Sequence, residues 1–416
     1  MNLWNETKSV PVSKEQVWLA YKKVRSNHGS AGIDGISMEA YDSQRSNHLY
    51  KLWNRMASGS YFPPAVKEVE IPKKDGKTRK LGIPTISDRV AQMVVKDYLE
   101  ERFEKIFSPH SYGYRPGRSA HQALSSVREN VRMLDWVIDL DIKGFFDTIN
   151  HDKLMLALKK HVPETWCLMY IDRWLTAPVQ TKSGELIYKQ GKGTPQGGVI
   201  SPLLSNLFLH YAMDKWLEQT HSAVRYVRYA DDAILHCKSK VQADYVMRNL
   251  NRRMKSCGLE LHPEKTKLVY CKDYRRQEKH EQVKFDFLGY SFQPRTTKSK
   301  RDGTLYLGYD CAISIDSKKR IAEKMRELDI KHLTHESIVG VAKFLEPYIR
   351  GWISYFGKFR ISEMNLIFQL LRRRLVMWAR KRYKRYKTSL NRAYKWLERI
   401  RLQFPGLFYH WQFGFS

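Results

Sequence analysis

The spacing of apolar and polar positions changes several times along this chain, and each change marks an element. Val12, Val17, Leu19, Ala20 and Val24 recur at helical spacing, with Ser13 as N-cap and Glu15 and Gln16 behind it, which predicts a helix over 12–25. Period two takes over at Val66, Val69 and Ile71 and resumes at Leu81 and Ile83. The polar run between them contains Asp75-Gly76, so a β-hairpin is predicted over 60–84. Helices are predicted over 87–107, from His121 to Val131 and over 151–176. Ser201 as N-cap followed by Pro202 starts another, which runs through Trp216. Ala243, Met247, Leu250, Met254 and Cys257 step by four, three, four and three ahead of Gly258, the pattern of an amphipathic helix over 240–257. Trp136–Ile142, Ala223–Cys237, Leu259–Leu261, Leu268–Tyr270 and Phe285–Phe292 carry strand patterns, and the charged stretch 272–280 reads as an exposed loop.

Near residue 313 the character shifts, and from Ser317 on the chain reads as helix. Ile321, Met325 and Leu328 make one stripe and Ile338–Phe356 a second helix. Ile361, Met364, Phe368, Leu371, Leu375 and Trp378 make a packing seam. Two glycine-rich segments interrupt the earlier part. Asn27-His28-Gly29-Ser30-Ala31-Gly32-Ile33-Asp34-Gly35 reads as a flexible loop. Gly191-Lys192-Gly193-Thr194-Pro195-Gln196-Gly197-Gly198 lets backbone approach a ligand closely.

Charge narrows the function classes. The chain has 416 residues, with 73 Lys and Arg against 43 Asp and Glu, a net +30 that opposes compaction unless a polyanion is the usual partner. With 24 Tyr and 11 Trp available for stacking, the partner is expected to be nucleic acid, single-stranded or structured RNA in particular. Between Arg372 and Arg401 lie 13 Lys or Arg and one acid, Glu398, interleaved with Tyr383, Tyr386, Tyr394 and Trp396. Arg372, Arg373, Arg374, Arg380, Lys381, Arg382, Lys384 and Arg385 are therefore candidate backbone contacts, as are Arg115 and Arg118 in the basic turn Tyr112–Ser119. The five cysteines form no Cys-x-x-Cys pair, so a zinc knuckle is not supported, and so sparse and odd a set suits reduced thiols in the cytoplasm. The N-terminus has no signal-peptide pattern, and no apolar run approaches the length of a membrane span.

Two acidic positions interrupt otherwise apolar strands. In Trp136–Ile142, Asp139 and Asp141 share the face opposite Trp136, Ile138, Leu140 and Ile142. In Tyr229-Ala230-Asp231-Asp232, adjacent like charges sit at a tight turn. Carboxylates so placed are costly unless a cation compensates them, and a divalent metal does so economically.

These stretches, in order with Ile71-Pro72-Lys73, Thr78-Arg79-Lys80-Leu81-Gly82-Ile83-Pro84, Tyr112-Gly113-Tyr114-Arg115-Pro116-Gly117-Arg118-Ser119, Asp141-Ile142-Lys143-Gly144-Phe145-Phe146-Asp147, Gly193-Thr194-Pro195-Gln196-Gly197-Gly198, Phe287-Leu288-Gly289-Tyr290 and Gly351-Trp352-Ile353-Ser354-Tyr355-Phe356, resemble the ordered signature of group II intron-encoded reverse transcriptase/maturases. The resemblance implies an α+β right-hand polymerase fold with fingers and a ferredoxin-like palm, an all-α thumb (maturase domain X) and a short basic tail. The corresponding boundaries are 1–85 for the N-terminal extension and start of the fingers, 86–312 for fingers and palm, 313–380 for the thumb and 381–416 for the tail. It implies that Asp141, Asp231 and Asp232, with Ile142 beside them, hold two Mg²⁺ ions, with Mn²⁺ as a substitute. Asp141 is chosen over Asp139 because Phe145-Phe146 then falls four and five residues on, where the family places residues under the incoming sugar. Phe145 is then the gate against a 2′-hydroxyl, Lys73 and Arg79 grip the triphosphate, Gln196 lies in the nucleotide-pocket loop and Lys265 lies near the phosphates. The implied partners are group II intron RNA, an RNA template with a DNA or RNA primer, dNTPs and target DNA, with no membrane. The implied function is RNA-directed DNA synthesis with maturase-assisted splicing and retrohoming by target-primed reverse transcription. No Cys/His nuclease module is present in the sequence, so target cleavage by this chain is not expected. A related reverse transcriptase with a retron, diversity-generating or defence role, and an RNA-binding splicing factor without polymerase activity, are the alternatives.

Overall fold

The computed structural model describes residues 9–72, 78–299 and 301–415. Its strands are β1 (Val66–Pro72), β2 (Thr78–Ile83), β3 (Trp136–Leu140), β4 (Val179–Gln180), β5 (Leu186–Ile187), β6 (Arg225–Tyr229), β7 (Asp232–Cys237), β8 (Lys267–Tyr270), β9 (Phe285–Phe287), β10 (Tyr290–Lys298) and β11 (Leu305–Ile313). The chain forms two compact units. One takes the chain up to Ser119 together with Ile138–Lys267; the other takes Ala120–Val137 together with Leu268–Ser416.

In the first unit, β1 and β2 form the expected antiparallel hairpin, with Lys67 opposite Ile83 and Pro72 opposite Thr78. The turn between them, which includes Lys73 and the Asp-Gly pair, lies outside the described residues. β4 joins β1 in parallel and β5 follows it. A second sheet places β6, β7 and β3 side by side in that order. Ala233–Cys237 of β7 is buried throughout, so this strand is covered on both faces, and the sequence supplies apolar residues at every one of these positions but His236. Helix Lys14–Ser26 opens with a capping box: Ser13 accepts from the Gln16 amide, and the Gln16 side chain accepts from the Ser13 amide.

Three expectations in this unit change. The helix expected over 151–176 is two helices, His151–Lys159 and Thr165–Thr176. Pro163 lies between them; it has no amide proton to donate and holds its predecessor extended. Ser201 sits in the first helical turn instead of capping it, and its Oγ accepts from Thr194 Oγ1 at 2.9 Å. The helix it starts runs from Ser201 to Leu209, passes through a π-helical turn at His210–Asp214 and continues to Thr220. The strand expected at Leu259–Leu261 is a single bridge from Leu261 to Ile142.

In the second unit, Phe285–Phe292 is a fold-back instead of one strand. Leu288 (φ 49°) and Gly289 (φ 78°) turn β9 into β10, and β10 then pairs with β11 from Tyr290 opposite Ile313 to Lys298 opposite Leu305. Helix Ala120–Met133 belongs with this sheet. The helices Ile315–Glu327, Ile338–Phe356, Asn365–Arg382 and Leu390–Gln403 bury Ile321, Met325, Leu345, Ile349, Phe368, Leu371, Leu375 and Trp378 in a common core. The expected packing seam therefore forms, although Ile361–Met364 is a 3₁₀ turn ahead of its helix.

Candidate active site

β6 ends at Tyr229 and β7 begins at Asp232, which leaves Ala230 and Asp231 as a two-residue hairpin turn. Ala230 has φ +58°, a left-handed conformation that costs an L-residue with a Cβ about 1–2 kcal/mol. The surroundings hold it there. Arg228 is fully buried and makes a two-pronged ion pair with Asp214, Nε to Oδ1 at 2.9 Å and Nη2 to Oδ2 at 2.6 Å. Its Nη1 donates to Asn206 Oδ1 at 2.8 Å and to the Ala230 carbonyl, in the turn itself, at 3.0 Å. Asn206 Nδ2 donates in turn to the Gly113 carbonyl at 2.8 Å. A Cβ on Gly113 would run into the backbone of Tyr229 and Ala230, so only glycine fits beneath the turn.

This brace was not anticipated from the sequence. Its signal was there: an arginine in the middle of the apolar β6 run and an aspartate in the middle of an apolar helix are each costly unless they find each other. The π-helical turn that ends at Asp214 inserts one residue into the helical repeat and sets where that carboxylate points.

The turn presents Asp231 and Asp232 beside Asp141, which follows β3. Asp141 is half-buried; its carbonyl accepts from the His262 amide at 2.8 Å, and its carboxylate pairs with Lys265 at 3.4 Å. Withdrawal from water and the Asp141 charge raise the Asp231 carboxyl, while a backbone hydrogen bond and the Arg79 and Arg228 charges pull it down. Asp232 is pushed up to about 7 by the surrounding protein and then by Asp231 and Asp141, with Lys265 opposing.

The three acids therefore form an under-compensated group of hard oxygen donors, the chemistry that suits Mg²⁺ or Mn²⁺. Among the described residues, no three His, Cys, Asp or Glu side chains are drawn together tightly enough to grip an ion as they stand. Isoleucine has no polar side-chain atom, so what Ile142 can offer an ion is its main-chain carbonyl.

Around the acids, Arg79 Nε donates to Gln196 Oε1 at 2.6 Å, and Gln196 Nε2 reaches Asp147 at 3.4 Å. The Gln196 carbonyl accepts from the Gly82 amide at 2.7 Å, which ties the glycine-rich loop to β2. Gly197 has φ +118°, and its α-carbon lies where a side chain would strike the Gly82 carbonyl. Tyr114 is exposed; burial of its hydroxyl end and the nearby Asp231 charge raise its phenol.

Two expected site residues are placed differently. Gly144 (φ +56°) turns Phe145 inward, where it is 2% exposed, and leaves the next ring, Phe146, half-exposed. Arg115 is buried and committed: it pairs with Glu104 and donates to the Ser108 and Ser111 carbonyls at 2.6 and 2.8 Å, which spends four of its five N–H groups inside the protein. Arg118 stays exposed over the Tyr112 ring.

In the other unit, Arg372 stacks on Tyr394 and pairs with Glu398, Arg385 lies 4.7 Å from the Tyr386 ring, and Arg380 donates to the Lys387 carbonyl. Lys381 makes a 2.9 Å contact with His332. Arg373, Lys381, Arg382, Lys384 and Arg385 are exposed, while Arg372, Arg374 and Arg380 are half-buried.

Comparison with known proteins bears on this geometry. Residues 71–292 match the family described as reverse transcriptase (RNA-dependent DNA polymerase), and residues 318–396 match the group II intron maturase-specific domain. Protein YkfC of Escherichia coli (strain K12) is 31% identical over 281 residues, 58% of this chain and 73% of that one. The group II intron-encoded protein LtrA of Lactococcus lactis subsp. cremoris is 26% identical over 426 residues, 82% of this chain and 68% of that one. A putative COX1/OXI3 intron 1 protein of Saccharomyces cerevisiae is 26% identical over 363 residues, 73% of this chain and 42% of that one.

Proposed function

We infer the working of this site from one premise: the chain belongs to the reverse transcriptase (RNA-dependent DNA polymerase) family and carries the group II intron maturase-specific domain. It is an RNA-directed DNA polymerase of the intron-encoded kind, with a maturase role in splicing. It depends on divalent metal, as its family does.

In our reading Asp141, Asp231 and Asp232, with the Ile142 carbonyl, hold two Mg²⁺ ions, for which Mn²⁺ can substitute. When bound, these would neutralise charge on the attacking and leaving oxygens of an in-line displacement. In that displacement the primer 3′-oxygen bonds to the nucleotide α-phosphorus, the bond to the β-phosphate oxygen breaks, and pyrophosphate leaves. The protein's own part is to position and to balance charge. Arg79 faces the triphosphate with its orientation fixed by Gln196, and Lys265 offsets charge beside Asp141. Lys73 is assigned the same phosphate role from the sequence pattern alone. The sugar-facing ring is Phe146 in place of Phe145, since Phe145 is spent on the core.

The observation that carries this reading is the convergence of Asp141, just after β3, with Asp231 and Asp232 at the β6–β7 turn, with Arg79 bearing on Asp231. The wider proposal is that the chain binds its own group II intron RNA, copies an RNA template from a DNA or RNA primer with dNTPs, and acts at target DNA in retrohoming. The strong positive charge and the five buried free cysteines support work in the cytoplasm at the nucleoid.

Primer extension on an RNA template tests the site. Asp231→Asn is expected to lower kcat at least about 1,000-fold, with primer–template affinity kept within about twofold. DNA synthesis by that variant at the wild-type rate would remove Asp231 from the chemistry.

A further inference from the structure

The second unit contains a cavity of about 850 Å³ between the C-terminal end of helix Ala120–Met133, the loop that follows β8 and the β10–β11 hairpin. Its walls are built from buried charge pairs. Arg276 pairs with Asp273 and donates to the Val131 and Leu134 carbonyls at 2.9 and 2.8 Å, which ties the loop to the helix. Arg128 grips Asp310 of β11 through two hydrogen bonds of 2.5 and 3.0 Å. The Tyr274 amide donates to the Leu307 carbonyl at 2.8 Å, which ties the loop to β11.

The two carboxylates that line the cavity are therefore already spent, Asp273 on Arg275 and Arg276 and Asp310 on Arg128 and Arg360. At the rim, Arg132, Lys298 and Arg301 are exposed, and among the described residues neither Lys298 nor Arg301 has a carboxylate within ion-pair distance. Tyr274 and Tyr306, 53% and 38% exposed, meet edge to face with ring centroids 5.5 Å apart.

An excess of positive charge at the rim calls for an anion, and two exposed rings beside it call for a flat, stackable group. A nucleotide supplies both. The cavity has the size of a small-ligand site and is too small to take in a duplex, so the strand entering it must be single. We propose that this pocket binds a splayed-out nucleotide of single-stranded RNA, with the base against Tyr274 and Tyr306 and the adjoining phosphates at Lys298 and Arg301. The choice of RNA over DNA rests on the polymerase and maturase reading above.

The full chain, its polymerase cleft saturated with primer–template, is titrated with an unstructured labelled oligoribonucleotide and with duplex DNA of equal length. Tyr274→Ala/Tyr306→Ala is expected to lose about tenfold or more in RNA affinity with the salt dependence unchanged. Lys298→Ala/Arg301→Ala is expected to lose affinity and to reduce the slope of log affinity against log salt by about 1.4, about 0.7 for each phosphate that is no longer neutralised. An oligonucleotide carrying 5-iodouridine is expected to crosslink to Tyr274 or Tyr306. Both variants should extend primers at the wild-type rate. Undiminished RNA binding by the tyrosine variant, no crosslink at either ring, or equal losses for duplex DNA would each overturn the pocket. A wild-type chain that extends no primer would sink the polymerase reading instead, and the crosslink would still decide the pocket.

Discussion

The acidic turn in one unit and the basic cavity in the other rest on the same internal device and display opposite charge. Under the turn, Arg228 and Asp214 are both fully buried, and their guanidinium–carboxylate pair reaches the functional backbone through the Ala230 carbonyl. Under the cavity, Arg276 and Asp273 are nearly as buried, but their spare hydrogen bonds go to the Val131 and Leu134 carbonyls, which form a wall. A buried ion pair adds little net stability over a well-packed apolar substitute, yet removal of one partner leaves the other charge stranded. What such a pair supplies is a fixed position. In the first unit that position belongs to the carboxylates proposed to hold metal; in the second it belongs to the frame of the cavity. The same chemistry should therefore fail differently when broken in each place.

The largest effect is expected at Asp214. Asp214→Asn strands a buried guanidinium and is expected to cost about 3–5 kcal/mol of stability, read as a lower thermal midpoint, together with reduced kcat as the Ala230 carbonyl loses its anchor. The double variant Arg228→Met/Asp214→Leu should recover most of the stability and none of the kcat. If it recovered both, the pair would be a packing element with no bearing on the turn. Asp273→Asn, the matching change in the second unit, should lower stability and leave kcat unchanged. A more local effect is expected at Gln196. Its hydrogen bond orients Arg79 without reaching the acids, so Gln196→Ala should raise the KM for the incoming nucleotide about tenfold and hold kcat within about twofold. Steady-state kinetics showing a fall in kcat at constant KM would place Gln196 in the chemical step.

The contrast also explains what could be read from the sequence. Local rules carried the elements whose partners are near in the chain: the Ser13–Gln16 capping box, the β1–β2 hairpin pattern and the helical seam from Phe368 to Trp378. The acids were legible because a carboxylate on an apolar strand stands out. The rest depended on long-range pairing. Arg115 looked like a free cation in a basic turn, and only its contact with Glu104, eleven residues earlier, shows that it is structural. Phe145 and Phe146 are equal in sequence, and the left-handed Gly144 decides which faces inward. The β10–β11 hairpin was missed, although Asp302-Gly303 between Thr297 and Leu305 is a turn signal of the kind credited at residues 75–76. An aromatic run at Phe285–Phe292 masked the fold-back at Leu288-Gly289.

The smallest effect separates the units by acid. His236 on β7 is fully buried with neither ring nitrogen hydrogen-bonded in the described structure, and burial followed by the Arg225 charge pushes its imidazole down to about 3. Burial pushes His210, in the π-helical turn beside Asp214, down to about 4. In the other unit His410 is alike, at about 3. In the unfolded chain each titrates near 6.5. As pH falls below 6.5 the unfolded state takes up protons that the native state refuses, so stability is lost progressively towards pH 4, by about 1.4 kcal/mol per pH unit for each such histidine. His236→Leu removes one of the three and should flatten the pH dependence of stability by that amount. Two of the histidines lie in the first unit and one in the second, so amide exchange at pH 5 should accelerate more around β6 and β7 than in the helices that pack on Phe368, and His236→Leu should narrow that gap. Equal acceleration in wild type and variant would mean that acid acts through the chain's overall positive charge instead of through the histidine behind the turn.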